Sequence, residues 1–220
     1  MLDFRIHQSF HLVAVILFVL VNMSLPQAHA GVNPPLQHQT ILVLGDSISA
    51  GFGIDKEQGW VSLLANKLKK DHIKTTLINA SISGETTSGG ANRLKAILKK
   101  HKPSLVILEL GGNDGLRGTP IKLMSQNLSY MIDLSQKSGA KVLLLGMRIP
   151  PNYGQTYSER FAKQYQQIAS QYDVKLVPFL LHGIAGQAGM MQADGIHPTL
   201  SAQPIMMQSV WALLLPLIER

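Results

Sequence analysis

The chain has 220 residues and no cysteine, which excludes a thiol nucleophile and thiolate metal ligation. Its formal net charge of +7 at pH 7 draws on lysines that close helical patterns, Lys67, Lys69 and Lys70 in one and Lys99, Lys100 and Lys102 in another. Cations there complement a helix dipole, and with no interleaved aromatics and no nucleic-acid motif, no nucleic-acid partner is expected. The first thirty residues read as a secretory signal: Arg5, an apolar run from Leu12 to Val21, then Ala28-His29-Ala30 before Gly31. That run is about half the ~20 residues that span a bilayer, so cleavage after residue 30 is expected rather than stable membrane insertion. Residues 31–220 are then one soluble domain with a full core, in the periplasm or secreted.

After the Asn33-Pro34-Pro35 leader, strands are predicted at Thr40–Leu44, Ile73–Asn79, Leu105–Leu110, Lys141–Met147 and Val174–Val177. They are short, continuous apolar runs, as suits strands buried on both faces. Helices are predicted between them at Trp60–Lys70, Ala91–Lys100, Ile121–Lys137 and Ser158–Tyr172, with a last one at Ser201–Ile218. Pro204 falls in the first turn of that last helix, where a missing N–H is tolerated. Strict alternation of strand and helix gives βαβ units and a three-layer α/β/α sandwich around a parallel sheet. Ligands of such sheets bind beyond the carboxyl ends of the strands, so chemically loaded residues should follow strands.

They do. Gly45-Asp46-Ser47-Ile48-Ser49 follows the first strand, Ala80-Ser81-Ile82-Ser83-Gly84-Glu85 the second and Gly111-Gly112-Asn113-Asp114-Gly115 the third, while Asp194-Gly195-Ile196-His197-Pro198 precedes the last helix. Acyl transfer needs a nucleophile, a base, a group that orients the base, and donors for the oxyanion. Ser47 can attack and offer its own first-turn N–H. Gly84 lets a backbone N–H come close to substrate, and Asn113 brings a side-chain amide. Asp194 and His197, three apart in a tight turn, can form the acid–base pair that takes the Ser47 proton. Asp46, Asp114, Gly115, Leu116, Arg117 and Tyr153 are the candidates for contact with substrate; Asp46 also reads as a helix cap and Asp114 as a turn former. His38, His72, His101 and His182 lack metal-ligand spacing, and Met190, Met191, Met206 and Met207 read as core or pocket filling. No GxxxxGK[ST] or GxGxxG stretch supports a nucleotide-binding reading.

These four blocks resemble the GDSL-type, or SGNH, serine hydrolases: Ser47 stands in the first, Gly84 in the second, Asn113 in the third, and His197 with Asp194 in the last. Within that family the sequence is similar to the exported bacterial acyl-CoA thioesterase I group, as in Ile41-Leu42-Val43-Leu44-Gly45-Asp46-Ser47, in the run Glu109 to Gly118, and in Pro151-Asn152-Tyr153-Gly154. Ile48 stands where the family name has leucine, a conservative change. The resemblance implies a flavodoxin-like order for five parallel strands, no cofactor and no metal, and a loop from Leu116 to Pro120 that closes over acyl groups. It implies a small-molecule acyl ester or thioester as substrate, lysophospholipid among them. A monomeric enzyme is expected. The rival within enzymes is a carbohydrate O-acetylesterase; the rival outside them is a binding module that has lost its chemistry.

Overall fold

Five short apolar runs assemble into one parallel sheet in the computed structural model, which describes residues 39–218. The signal sequence and leader read above lie outside the described residues. The strands are β1 (Gln39–Gly45), β2 (Thr75–Asn79), β3 (Leu105–Glu109), β4 (Lys141–Leu145) and β5 (Lys175–Val177), in the order β2-β1-β3-β4-β5. This is the flavodoxin-like order that the resemblance implied. The central strands are sealed on both faces: Ile41 to Leu44 of β1 and all of β3 are buried. The edge strand β2 is only half-buried, because half of its surface has no neighbour.

The helices are α1 (Ser47–Ala50), α2 (Trp60–Lys70), α3 (Thr87–His101), α4 (Gly112–Leu116), α5 (Ile121–Lys137), α6 (Gln155–Gln171) and α7 (Gln203–Ile218). On one face of the sheet α3, α5 and α6 pack side by side; on the other α2 packs against α7. Each turns an apolar stripe inward, as in Trp60, Val61, Leu64 and Leu68 of α2 and Met124, Leu128, Met131 and Ile132 of α5. The apolar run Leu200–Ile218 is long enough to cross a membrane by composition. Its Met206, Val210, Leu214 and Ile218 are buried in the core, which accounts for that composition.

Several boundaries differ from the sequence prediction for local reasons. Strand β2 starts at Thr75 rather than Ile73, because the end of α2 is closed by His72 in the left-handed region and by the Ile73 N–H donating to the Leu68 carbonyl. Helix α3 starts at Thr87, four residues early, capped by Thr86, whose Oγ1 accepts the Gly89 N–H. It runs through Gly89-Gly90, ahead of the predicted start at Ala91. A side chain at Gly90 would meet the tip of Leu110, so the helix lies close against the sheet there. Before α7 the chain makes a 3-10 turn over Leu200–Ala202.

Candidate active site

The loop after β1 is fixed from beneath by a buried acid. Parallel pairing places Gly45 opposite Glu109 at the end of β3. Glu109 Oε2 accepts from the Asp46 N–H at 3.1 Å and from Ser49 Oγ at 2.6 Å, while its Oε1 is buried with no partner among the described residues. A Cβ at position 45 would lie 2.6 Å from Glu109 Oε2 and 2.7 Å from Ser49 Oγ, so only glycine fits. Asp46 caps α1, accepting the Ile48 N–H at 3.0 Å. Ser47 opens that helix, where its N–H has no intrahelical acceptor. Burial pushes the Asp46 carboxyl up to about 6. Burial, and then the neighbouring Asp46 charge, push Glu109 well above the usual carboxylate range.

The second arm is the turn before α7. Asp194 Oδ1 accepts the backbone N–H groups of Ile196 at 2.9 Å and His197 at 3.0 Å, and Oδ2 lies 2.6 Å from His197 Nδ1. The His197 backbone N–H is the largest cause holding the Asp194 carboxyl down at about 2, with the imidazole and the Ile196 N–H adding to it. An ionised carboxylate only accepts, so Nδ1 must donate to it, and Nε2 is left to accept. Nε2 lies 2.8 Å from Ser47 Oγ. The Phe52 ring backs the imidazole at 4.3 Å between centroids.

The third arm joins the loops after β2 and β3. Gly84 has φ +78° and no acceptor for its N–H among the described residues, while its carbonyl accepts from Arg117 Nη2 at 3.0 Å. Asn113 Nδ2 donates to Asp46 Oδ2 at 3.1 Å and to the Glu85 carbonyl at 3.0 Å. Both amide hydrogens are thus engaged, so any further acceptor has to share or displace one. Arg93 braces the loop, binding Glu85 Oε2 at 2.7 Å and the Ala80 carbonyl at 2.6 Å.

Three of the residues taken as candidates for substrate contact lie beneath the surface. Asp46 is buried as a cap, and Asp114 is buried while accepting from the Thr87 N–H at 2.8 Å and Thr87 Oγ1 at 2.7 Å, which anchors α3. Gly115 is buried against Ile149 and Phe161 and gives its carbonyl to the Tyr157 hydroxyl at 3.3 Å. The alternative readings of Asp46 and Asp114, cap and structural residue, describe their places. Leu116 is half-buried, and Arg117 and Tyr153 are exposed. Sequence reasoning passed over Glu109, Phe52 and Gln192. A charged residue closing an otherwise apolar strand was the available signal for Glu109; nothing in the sequence marked the other two. Among the described residues no cluster of three or more His, Asp or Glu is placed to share a metal ion.

Residues 43–203 match the GDSL-like Lipase/Acylhydrolase family. The chain is 53% identical to Esterase TesA of Pseudomonas aeruginosa over 180 residues, covering 82% of this chain and 90% of that protein. It is 46% identical to an arylesterase of Vibrio mimicus over 166 residues, 76% and 83% of the two chains. It is 41% identical to thioesterase 1/protease 1/lysophospholipase L1 of Escherichia coli over 180 residues, 82% and 85% of the two. Among solved structures, TesA superposes with a TM-score of 0.80 at 53% identity, covering 81% of this chain and 99% of that one. The psychrotrophic esterase EstA from Pseudoalteromonas sp., inhibited by monoethylphosphonate, gives 0.78 at 41% identity and covers 83% and 100%.

Proposed function

The chain belongs to the GDSL-like lipase/acylhydrolase family, and from that premise we propose that it hydrolyses acyl esters and thioesters through an acyl-enzyme on Ser47. The observation that carries this reading is the relay from Ser47 Oγ to His197 Nε2 at 2.8 Å and from His197 Nδ1 to Asp194 at 2.6 Å. As Oγ attacks the acyl carbonyl, Nε2 takes its proton; Asp194, ionised down to about pH 2, stabilises the imidazolium. The oxyanion is received by the N–H groups of Ser47 and Gly84 and by the Asn113 amide. His197 returns the proton to the departing alkoxide or thiolate. Water then repeats the attack on the acyl-enzyme and frees the acid.

The rim supports acyl chains over acetyl groups. Phe52, Ile82 and Ile196, on the three loops that converge at the relay, are 50%, 51% and 38% exposed. Lysophospholipids and fatty acyl-CoA are accordingly the proposed substrates, with the Leu116–Pro120 segment folding over the chain. Gly118, at φ +69°, supplies the conformational freedom such a movement uses. The proposal includes export, supported by the signal-like first thirty residues, and action as a monomer in the periplasm or outside the cell.

The test is turnover of p-nitrophenyl esters by the mature protein and by Ser47→Ala. The variant should fold and lose roughly 10³-fold or more in kcat, and a phosphonate probe should label only the wild type, by one adduct. Folded Ser47→Ala with wild-type turnover would refute the assignment. Preference for acetate over octanoate would move the substrate to acetylated sugars.

A further inference from the structure

We infer that Gln192 is a positioning residue, whose side-chain amide sets the distance between the serine loop and the histidine turn. The inference rests on the proposed triad. Gln192 Nε2 donates to the Phe52 carbonyl at 2.9 Å and to the Pro198 carbonyl at 3.1 Å. Its backbone N–H donates to the His197 carbonyl at 2.8 Å, and its carbonyl accepts the Gly195 N–H at 2.9 Å. One residue therefore holds both ends of the Asp194–His197 turn and reaches across to the loop that carries Ser47. Phe52 is coupled back to the nucleophile, because its N–H donates to the Ser47 carbonyl at 3.0 Å and its ring backs the His197 imidazole.

The topology explains why such a clamp is needed. Ser47 follows β1 in the middle of the sheet, whereas the histidine turn follows β5 at its edge, with β3 and β4 between them. Strand register therefore does not fix the Ser47–His197 distance; contacts between the loops must. Among the described residues, three side-chain hydrogen bonds link residues 47–60 to residues 192–203. They are the Ser47–His197 bond itself, the Gln192–Phe52 bond, and a bond at the base of the loops where Gln203 Oε1 accepts the Trp60 N–H at 3.0 Å. Of these, only the Gln192 bond is near the relay without belonging to it.

The residue type follows from the same geometry. Two carbonyl oxygens must be bridged by one group, which takes two donors on one atom; a carboxamide has them, and a carboxylate has none. The clamp also leaves no space beside it. Gly53, at φ +73°, lies so close to Gln192 Oε1 that a Cβ there would collide with it.

Misplacement of reacting groups by about 1 Å costs roughly 100-fold in rate. Folded Gln192→Ala is therefore expected to lose about 10- to 100-fold in kcat towards an aryl ester, with KM changed by less than about twofold. Phosphonate labelling should slow by the same factor. Gln192→Glu, which keeps the shape and removes both donors, should be at least as impaired, and it provides the test if the alanine variant unfolds. Gly53→Ala, which displaces the clamp from the other side, should give the same signature, and its effect should be less than additive with Gln192→Ala. A merely structural glutamine would lower the melting temperature and leave kcat of the folded enzyme intact; that result, or a loss confined to KM, overturns the inference. Ser47→Ala is run alongside. If it keeps turnover, the triad reading fails and the clamp with it; if it is inert while folded Gln192 variants keep wild-type kcat, only the clamp fails.

Discussion

Asp194 and Asp46 are both aspartates at the catalytic end, and their surroundings drive them in opposite directions. Asp194 receives three donors, and its carboxyl is held at about 2. The contribution of that pairing to stability is in place above pH 4 and is lost as pH falls from about 4 towards 2. Asp194→Asn should cost on the order of 10³- to 10⁴-fold in kcat, measured with an aryl ester, because an amide can hold the wrong imidazole tautomer. Asp46 is buried, and its carboxyl is raised to about 6 against an ordinary 3.8. Between those values the native protein binds more protons than the unfolded chain, so stability declines as pH rises from 4 to 6. Urea midpoints of wild type and Asp46→Asn across pH 4–7 check this: the wild type should lose ground to the variant as pH rises. A constant gap would refute it. Ser47, His197 and Asp194 stood out in the sequence because the serine block closes a strand and the Asp-x-x-His turn leads into the last helix. The sequence hid the burial of Asp46, Asp114 and Gly115, since burial there depends on how α3 and α6 pack over the loops, which no local pattern records.

At the level of elements, apolar runs and helical periodicity located all five strands and the five longer helices, and the Trp60–Lys70 and Ile121–Lys137 boundaries agree with the structure at both ends. What escaped were the pieces governed by glycine. Helix α4 lies inside a signature loop, and the start of α3 runs through Gly89-Gly90, because in both cases backbone proximity outweighs helix propensity. Gly146 shows the same principle where β4 ends two residues before its predicted limit. Its N–H donates to the Val177 carbonyl and its carbonyl accepts the Leu180 N–H, so it stitches β4 to the chain leaving β5. A Cβ at 146 would meet the Pro178 carbonyl, which is backbone and has no rotamer by which to yield. Gly146→Ala should therefore destabilise the protein by about 1–3 kcal/mol, read as a lower urea midpoint. Gly90→Ala, where the obstacle is the tip of Leu110, should cost less.

Among the described residues, much of the lysine charge lies away from the chemistry, while Arg117 and Arg148 stand at the catalytic end. Lys67, Lys69, Lys70, Lys74, Lys99, Lys100, Lys102, Lys137, Lys141 and Lys175 sit at the ends of helices or the starts of strands, the pole away from the relay. A five-residue strand is roughly 17 Å long, and the loops lengthen the separation further. The Debye length at 0.15 M ionic strength is about 8 Å, so the field of that pole is largely screened before it reaches Ser47. That lysine pole should thus do little to steer an anionic substrate such as acyl-CoA. Neutralising four exposed lysines together, in Lys69→Gln, Lys70→Gln, Lys99→Gln and Lys100→Gln, should leave kcat/KM for acyl-CoA at 0.15 M salt within about twofold of wild type. If long-range steering drew the substrate in, the same variant would lose association rate by tenfold or more at low salt, with the deficit shrinking as salt rises. A salt-independent ratio near one would leave capture of substrate to the loops around Ser47 and would account for the cationic pole through helix dipoles and solubility alone.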